Sequence, residues 1–171
     1  MRRLIRKKKI QAVVGSLLEK NQIRAVPVPV TQIARAEGAH LYFDALEGDL
    51  SGFLYREGSQ ATIGVNTHHA PVRQRFTVGH ELGHLLLHHH DQLHVDYKFR
   101  NSQSAKGTDP EEIEANLFAA ELLMPKVFVE KDLQHTAVDL ADEDLIFELA
   151  RKYGVSAQAL AIRLSTLGYL P

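Results

Sequence analysis

The sequence HELGHLLLH, at residues 80–88, carries the strongest structural signal in the chain. It contains the pattern His-Glu-x-x-His, which is typical of a helix that binds zinc. A helix turns about 100° per residue, so His80 and His84 lie on one face, about 6 Å apart. At this spacing both imidazole rings can reach one metal ion at roughly 2.0–2.1 Å. Glu81 follows His80 directly, where its carboxylate can take a proton from water that the metal activates.

The flanking residues favour a helix through this motif. Proline suits the first helical position, so Pro71 can begin it. With 10 histidines in 171 residues, however, the pattern can also arise by chance. The alternative is a buried amphipathic helix whose histidines are only hydrogen-bonded. The apolar surface away from the two histidines consists of Phe76, Val78, Leu82, Leu85 and Leu86.

A catalytic zinc site needs a third protein ligand. The chain contains no cysteine, so disulfides and thiolate sites are excluded and we expect a carboxylate. Glu111, Glu112 and Glu114 lie together in the next predicted helix. We choose Glu112, because Asn116 follows four residues later on the same face and can hydrogen-bond a ligating imidazole from behind. Glu114 is the second choice.

The remaining histidines and glutamates receive other roles. His88 lies one turn beyond His84 and would reach the same metal only through a bend, so we expect it to support the ligands from outside. Glu111 and Glu121 are predicted to be exposed to solvent. The histidines predicted to lie at the surface are His68, His69, His89, His90, His94 and His135.

Start and stop signals outline the rest of the chain. Three alternating segments separated by glycine and serine, 41–43, 52–55 and 61–65, predict a small antiparallel meander that packs against helices. Residues 89–108 are polar and are predicted to be an irregular loop beside the cleft. The predicted helices are 4–21, 30–37, 71–88, 110–124, 141–153 and 157–168.

Composition and charge set broad limits. The formal net charge is −1, which gives no overall indication of binding to nucleic acid or membrane. No apolar run reaches membrane-spanning length and no secretory signal follows the basic start, so we expect a cytoplasmic protein. The basic start is predicted to be a solvated helix end, with contact to nucleic acid or an acidic partner as the alternative. It consists of Arg2, Arg3, Arg6, Lys7, Lys8 and Lys9.

Two signatures resemble those of a known family. Residues 74–88, QRFTVGHELGHLLLH, resemble the active-site helix of the ImmA/IrrE family of zinc metallo-endopeptidases. Residues 112–125, EIEANLFAAELLMP, resemble its second signature, and YGVS at 153–156 resembles part of its helical tail. The resemblance extends from about residue 28 to the end of the chain. Related glutamate-ligand zinc peptidases often carry Asp where Asn116 stands.

The resemblance implies a fold and a site. The fold is α+β: a zincin-like domain with a three-stranded antiparallel sheet packed on the active-site helix and a second, ligand-bearing helix. We expect this domain at residues 1–125 and a helix-turn-helix-like tail, packed on it, at 126–171. His80, His84 and Glu112 match the family's zinc ligands and Glu81 its catalytic glutamate. One zinc ion per chain is expected, although Mn²⁺ or Fe²⁺ also suits such a ligand set.

The resemblance also implies a substrate. Family members cut a helix-turn-helix transcriptional repressor and thereby relieve repression, in mobile elements or stress responses. An edge strand of the sheet can pair with an extended substrate. The group that stabilises the oxyanion is open; candidates in the loop before the second signature are Tyr97, Arg100 and His94.

The tail supports a competing function. Residues 148–164 have the spacing of a helix-turn-helix, with glycine in the turn. Reading DNA requires polar and basic residues on the second helix, which offers only Gln158 and Arg163 among alanines and leucines. We therefore expect a packing or dimerisation face. The alternative is a non-proteolytic regulator that binds DNA or protein through this tail and carries a latent zinc site.

Overall fold

The computed structural model describes residues 4–88, 93–97, 109–134 and 143–170, with the backbone alone at residues 96 and 97. These residues form helices and one sheet, as an α+β fold requires. In chain order the elements are α1 Lys7–Lys20, α2 Val30–Ala36, β1 Ala39–Asp44, β2 Leu50–Glu57, β3 Gln60–Asn66, α3 Pro71–Leu87, β4 His94–Tyr97, α4 Pro110–Leu123, α5 Lys126–Gln134, α6 Glu143–Tyr153 and α7 Ala157–Thr166.

The α+β class is confirmed, but the predicted three-stranded meander is wrong. The sheet has four strands in the order β1-β3-β2-β4, and β1 runs parallel to β3. A tight turn at Gly58, where φ is 58°, joins β2 to β3 as a hairpin. Strand β4 pairs with the other edge of β2. Among the described strands, β1 pairs with the outer edge of β3. Residues 94–97 form β4 although that part of the chain was predicted to be irregular.

One row of side chains crosses all four strands and shows which face of the sheet meets the helices. Leu41 pairs with Ile63, Ile63 with Leu54, and Leu54 with His94. Residues directly opposite each other in a sheet point to the same face. Ile63 and Leu54 are buried, and α3 packs across β2 and β3. The row therefore ends with His94 on the side of the sheet that carries α3.

Small residues let α3 and α4 approach each other closely. A Cβ atom at Gly83 would lie 3.1 Å from the Cα of Ala115 and 3.1 Å from the ring of Phe118. A Cβ atom at Gly79 would lie 3.3 Å from the Cβ of Ala119. Because the two glycines lie on the same helix face, one turn apart, they form a seam that sets the distance between the two helix axes.

Local signals place most helix ends as expected. The Asp109 side chain accepts a hydrogen bond from the Glu111 backbone at 2.9 Å, with Pro110 next in the chain. Ser156 caps α7 in the same way through the Ala159 backbone at 3.1 Å. Helix α5 was not predicted, because Pro125 was interpreted only as a stop for α4, although proline also suits a helix start.

The tail packs on the rest of the chain through buried polar contacts. Arg163 on α7 is buried and donates to Glu121 on α4 at 2.5 Å and to the Met124 carbonyl at 3.1 Å. The prediction that Glu121 is exposed is therefore wrong, since Glu121 neutralises a buried guanidinium. The division of the chain near residue 125 stays a prediction.

Among the described residues, no helix combines the length and the apolar character needed to cross a bilayer.

The glycine seam gives a stability prediction. We expect Gly83→Val to lower the free energy of unfolding by about 1–3 kcal/mol, because its side chain would press on the α4 backbone. The control is Gly15→Val, in α1, where nothing lies within 4 Å of an added Cβ. It should change the free energy by less than about 0.5 kcal/mol. Chemical denaturation measures both; equal effects would show that the seam does not limit the helix distance.

Candidate metal centre

Four side chains from three elements converge on one point. His80 and His84 come from α3, Glu112 from α4 and His94 from β4, and one ligand atom from each lies within 4.8 Å of all the others. The Nε2 atoms of His80 and His84 are 3.2 Å apart. The Glu112 carboxylate lies 3.4 Å from the first and 3.2 Å from the second. The structure thus brings together the three residues that the sequence singled out as ligands.

The hydrogen bond behind His80 determines which of its nitrogens can bind a metal. His80 Nδ1 lies 3.0 Å from Asn116 Oδ1. An amide oxygen only accepts, so Nδ1 carries the proton and donates it. In a neutral ring Nε2 then presents a lone pair toward His84 and Glu112. Asn116 stands where the sequence led us to expect it, and its supporting role stays a prediction.

A longer series of hydrogen bonds lies behind His84. His84 Nδ1 is 3.1 Å from His88 Nδ1, and His88 Nε2 is 3.0 Å from Glu114 Oε2. The carboxylate accepts, so His88 carries its proton on Nε2. Burial lowers the pKa of His88, so the ring is neutral near pH 7 and its Nδ1 accepts from His84. His84 therefore also presents a bare Nε2 to the cluster.

These proton positions show that the residues fit a divalent cation. Two imidazole lone pairs and one carboxylate face each other with no proton between the two rings. Such a group of acceptors is repulsive unless a cation lies among them. Two imidazoles and one carboxylate form a common ligand set of catalytic zinc, and manganese or iron also accepts it.

The protonation states agree with metal binding. Burial lowers the pKa of His84 to about 4, so the ring is neutral at pH 7. Burial acts to raise the pKa of Glu112, but the polar contacts with His80 and His84 outweigh burial and hold that pKa well below its usual range. Metals bind neutral imidazole and ionised carboxylate, the forms that this site favours.

Glu114, the second choice for third ligand, points away from the cluster. It is fully buried and forms an ion pair with Arg6 at 2.5 Å. Hydrogen bonds from Arg6 hold the pKa of Glu114 down at about 2. The prediction of a solvated basic start is therefore wrong at Arg6, while Lys7 to Lys9 are exposed.

His94 was predicted to lie at the surface, and the structure places it in the cluster. Its Nε2 atom is 3.2 Å from Glu112 Oε1, and its ring centroid is 3.9 Å from that of His84. The side chain is 32% exposed, so it lies at the open side of the site. A short strand in a polar segment gives little sequence signal. The one clue in the sequence is the alternation of polar and apolar residues in His94, Val95, Asp96 and Tyr97.

The other predicted site residues are placed as follows. Glu81 is fully buried on α3, next to His80 in the chain. The side chain of Tyr97 and the whole of Arg100 lie outside the described residues, as do His89, His90 and His135.

A metal titration tests the ligand set. We expect Glu112→Gln to weaken zinc binding by at least about 100-fold, because loss of a ligand exceeds the effect of losing a group behind one. His68→Ala, which removes an exposed histidine outside the cluster, should stay within about twofold of wild type. Competition with a chromogenic chelator measures both. Wild-type affinity in Glu112→Gln would remove Glu112 from the ligand set.

The chain is similar to known proteins in sequence and in fold. The family model of the IrrE N-terminal-like domain, Peptidase_M78, matches residues 34–165. A Bacillus phage phi105 protein named "Uncharacterized immunity region protein 2" is 31% identical over 98 residues, which are 56% of this chain and 60% of that protein. A solved structure of a Mycobacterium tuberculosis transcriptional regulator has a similar fold, with a TM-score of 0.61 at 17% identity, over 92% of this chain and 46% of that one.

The chain spans less than two thirds of the length of either relative. The family match, by contrast, covers most of the chain and includes both α3 and α4, which carry the converging side chains. The resemblance found in the two signatures is therefore confirmed. The chain belongs to the Peptidase_M78 family, whose members carry the IrrE N-terminal-like domain.

Proposed function

We propose that the protein is a zinc-dependent endopeptidase of regulatory function, in which His80, His84 and Glu112 hold the metal. One observation carries this proposal. The Nε2 atoms of His80 and His84 converge with the Glu112 carboxylate between α3 and α4, and Glu81 follows His80 directly in the chain. The membership of the chain in a peptidase family supports it.

The chain's own residues divide the work of peptide hydrolysis. A bound zinc ion supplies Lewis acidity, which lowers the pKa of water and polarises a carbonyl group. Glu81 would take the proton of the attacking water and deliver it to the leaving amine. Glu81 is fully buried on α3, so the bulk of the protein shields its carboxylate from the surrounding solvent.

Substrate would lie along β4. Among the described strands, β4 ends the sheet order and pairs with β2 on one side, and we propose that its other edge accepts an extended peptide as a further strand. His94 belongs to β4 and reaches the cluster from the open side. A peptide on this edge would place a carbonyl group near both His94 and the metal ligands. His94 is therefore our candidate for the group that stabilises the oxyanion.

The proposed substrate is a helix-turn-helix transcriptional repressor, whose cleavage would relieve repression in a mobile element. The support is the family resemblance together with the phage relative, whose name places that relative in an immunity region. Such a substrate acts on DNA in the cytoplasm, where we propose that this protein works. Direct DNA binding by the tail loses support, because Arg163, its main candidate for phosphate contact, is buried against Glu121.

His94 also favours a second candidate function. If His94 binds the metal as a fourth protein ligand, the coordination shell is closed, as in structural zinc sites. The protein would then be a regulator with a latent zinc site, active in cleavage only after His94 moves away. This alternative is supported by the short distance between His94 Nε2 and Glu112 Oε1, which is 3.2 Å.

Removal of the proposed base tests the endopeptidase. We expect Glu81→Gln to bind zinc within about threefold of wild type and to lose cleavage by at least about 100-fold, because general base catalysis is worth that much. Glu47→Gln, at an exposed position, is the matched control. The assay incubates purified protein and zinc with candidate repressors, with a chelator-treated sample in parallel. Full cleavage by Glu81→Gln would contradict the assignment.

A His94→Ala variant separates the two candidate functions. If His94 stabilises the oxyanion, kcat falls by about 100-fold while zinc affinity is unchanged. If His94 closes the coordination shell, zinc affinity falls and cleavage rises. Titration of zinc and steady-state kinetics on the same preparation distinguish these results.

A further inference from the structure

A buried series of polar contacts connects the start of the chain to the candidate metal ligand His84. Arg6 donates to both carboxylate oxygens of Glu114, from its backbone N–H at 2.8 Å and from its guanidinium at 2.5 to 3.1 Å. Glu114 accepts from His88 at 3.0 Å, and His88 meets His84 at 3.1 Å. Arg6 also donates to the Leu87 carbonyl at the end of α3, at 3.2 Å.

From this geometry we infer that Arg6, Glu114 and His88 are positioning residues, which orient His84 and fix the proton on its Nδ1 atom. The inference rests on the proposed metal site and adds to it the group that prepares this ligand. Histidine ligands of metals usually donate their second ring nitrogen to a carboxylate or carbonyl, which sets the tautomer. Here a second histidine stands between the ligand and the carboxylate.

The position of each proton follows from the two ends of the series. The Nδ1 atoms of His84 and His88 share one proton. Two protons between them would repel each other, and without any proton two lone pairs would face each other. Glu114 accepts the Nε2–H of His88, which leaves Nδ1 of a neutral His88 as an acceptor. The proton between the rings therefore belongs to His84, and Nε2 of His84 stays bare for the metal.

Arg6 fixes the position of the Glu114 carboxylate. The backbone N–H and the guanidinium of Arg6 together donate to both carboxylate oxygens, so the oxygen that accepts from His88 is held in one place. Without Arg6 the carboxylate can turn away from His88, which weakens the contact that orients the His88 ring against His84. Arg6 and Glu114 lie 108 positions apart in the chain, so docking of the segment before α1 completes the ligand site.

The first test needs neither a variant nor zinc. Imidazole nitrogen chemical shifts in a nitrogen-labelled, metal-free sample report which ring nitrogen is protonated. We expect His84 to be protonated on Nδ1 and His88 on Nε2. A protonated Nε2 on metal-free His84 at neutral pH would overturn the inference. Because the readout involves neither metal nor cleavage, it stands even if the proposed peptidase activity fails.

The second test uses paired variants of one helix. Glu114→Gln should weaken zinc binding by about 10- to 100-fold and mix the tautomers of His84. Glu121→Gln, a carboxylate on the same helix that pairs with Arg163 outside the site, should stay within about threefold of wild type. Equal losses in both variants, or wild-type zinc affinity and tautomers in Glu114→Gln, would overturn the inference.

The third test changes the positively charged side chain of Arg6. Arg6→Met should weaken zinc binding by about 10-fold or more, and Arg6→Lys should recover part of that loss, because lysine restores the charge but not the forked contacts. The free energy of unfolding, measured on the same samples, shows whether a loss of zinc affinity comes from a change at the ligands or from an unstable fold. The same zinc affinity in Arg6→Met as in wild type would exclude a role for the N-terminal segment.

Discussion

The close approach of α3 and α4 brings the candidate metal ligands together and positions the buried contacts around them. Gly79 and Gly83 remove side chains from the seam, so that Ala115 and Ala119 lie against the α3 backbone. At this distance a glutamate of α4 can reach the space between two histidines of α3. In this chain the pattern His-Glu-x-x-His therefore contains a glycine for a packing reason, because Gly83 lies in the seam against α4.

The carboxylates of α4 show how one helix serves several purposes. Glu112 faces the two histidines, whereas Glu114, two residues later, faces Arg6 and His88. Residues two apart on a helix point in directions about 200° apart, so they cannot reach the same partner. One side of α4 thus carries the carboxylate that we propose as a metal ligand, and another carries the buried carboxylate that contacts Arg6 and His88.

The features of the fold and of the candidate site that depend on local signals could be predicted from the sequence. The spacing of His80 and His84, the cap at Asp109 and the cap at Ser156 each depend on residues within four positions of each other. The choice of Glu112 used the same helical periodicity, and the family signatures supported it. What the sequence could not predict depends on contacts between distant residues. Examples are the pairing of β1 with β3, the contact of Arg6 with Glu114, and the arrival of His94 from an edge strand.

Anomalous diffraction from zinc-loaded crystals would show whether one metal ion lies between α3 and α4. We predict one strong peak at the zinc absorption edge, within about 2.0–2.2 Å of His80 Nε2, His84 Nε2 and a Glu112 carboxylate oxygen. The electron density at the fourth position would also show whether His94 is bound. A peak at another group of side chains, or no peak between these two helices, would contradict the proposed metal site.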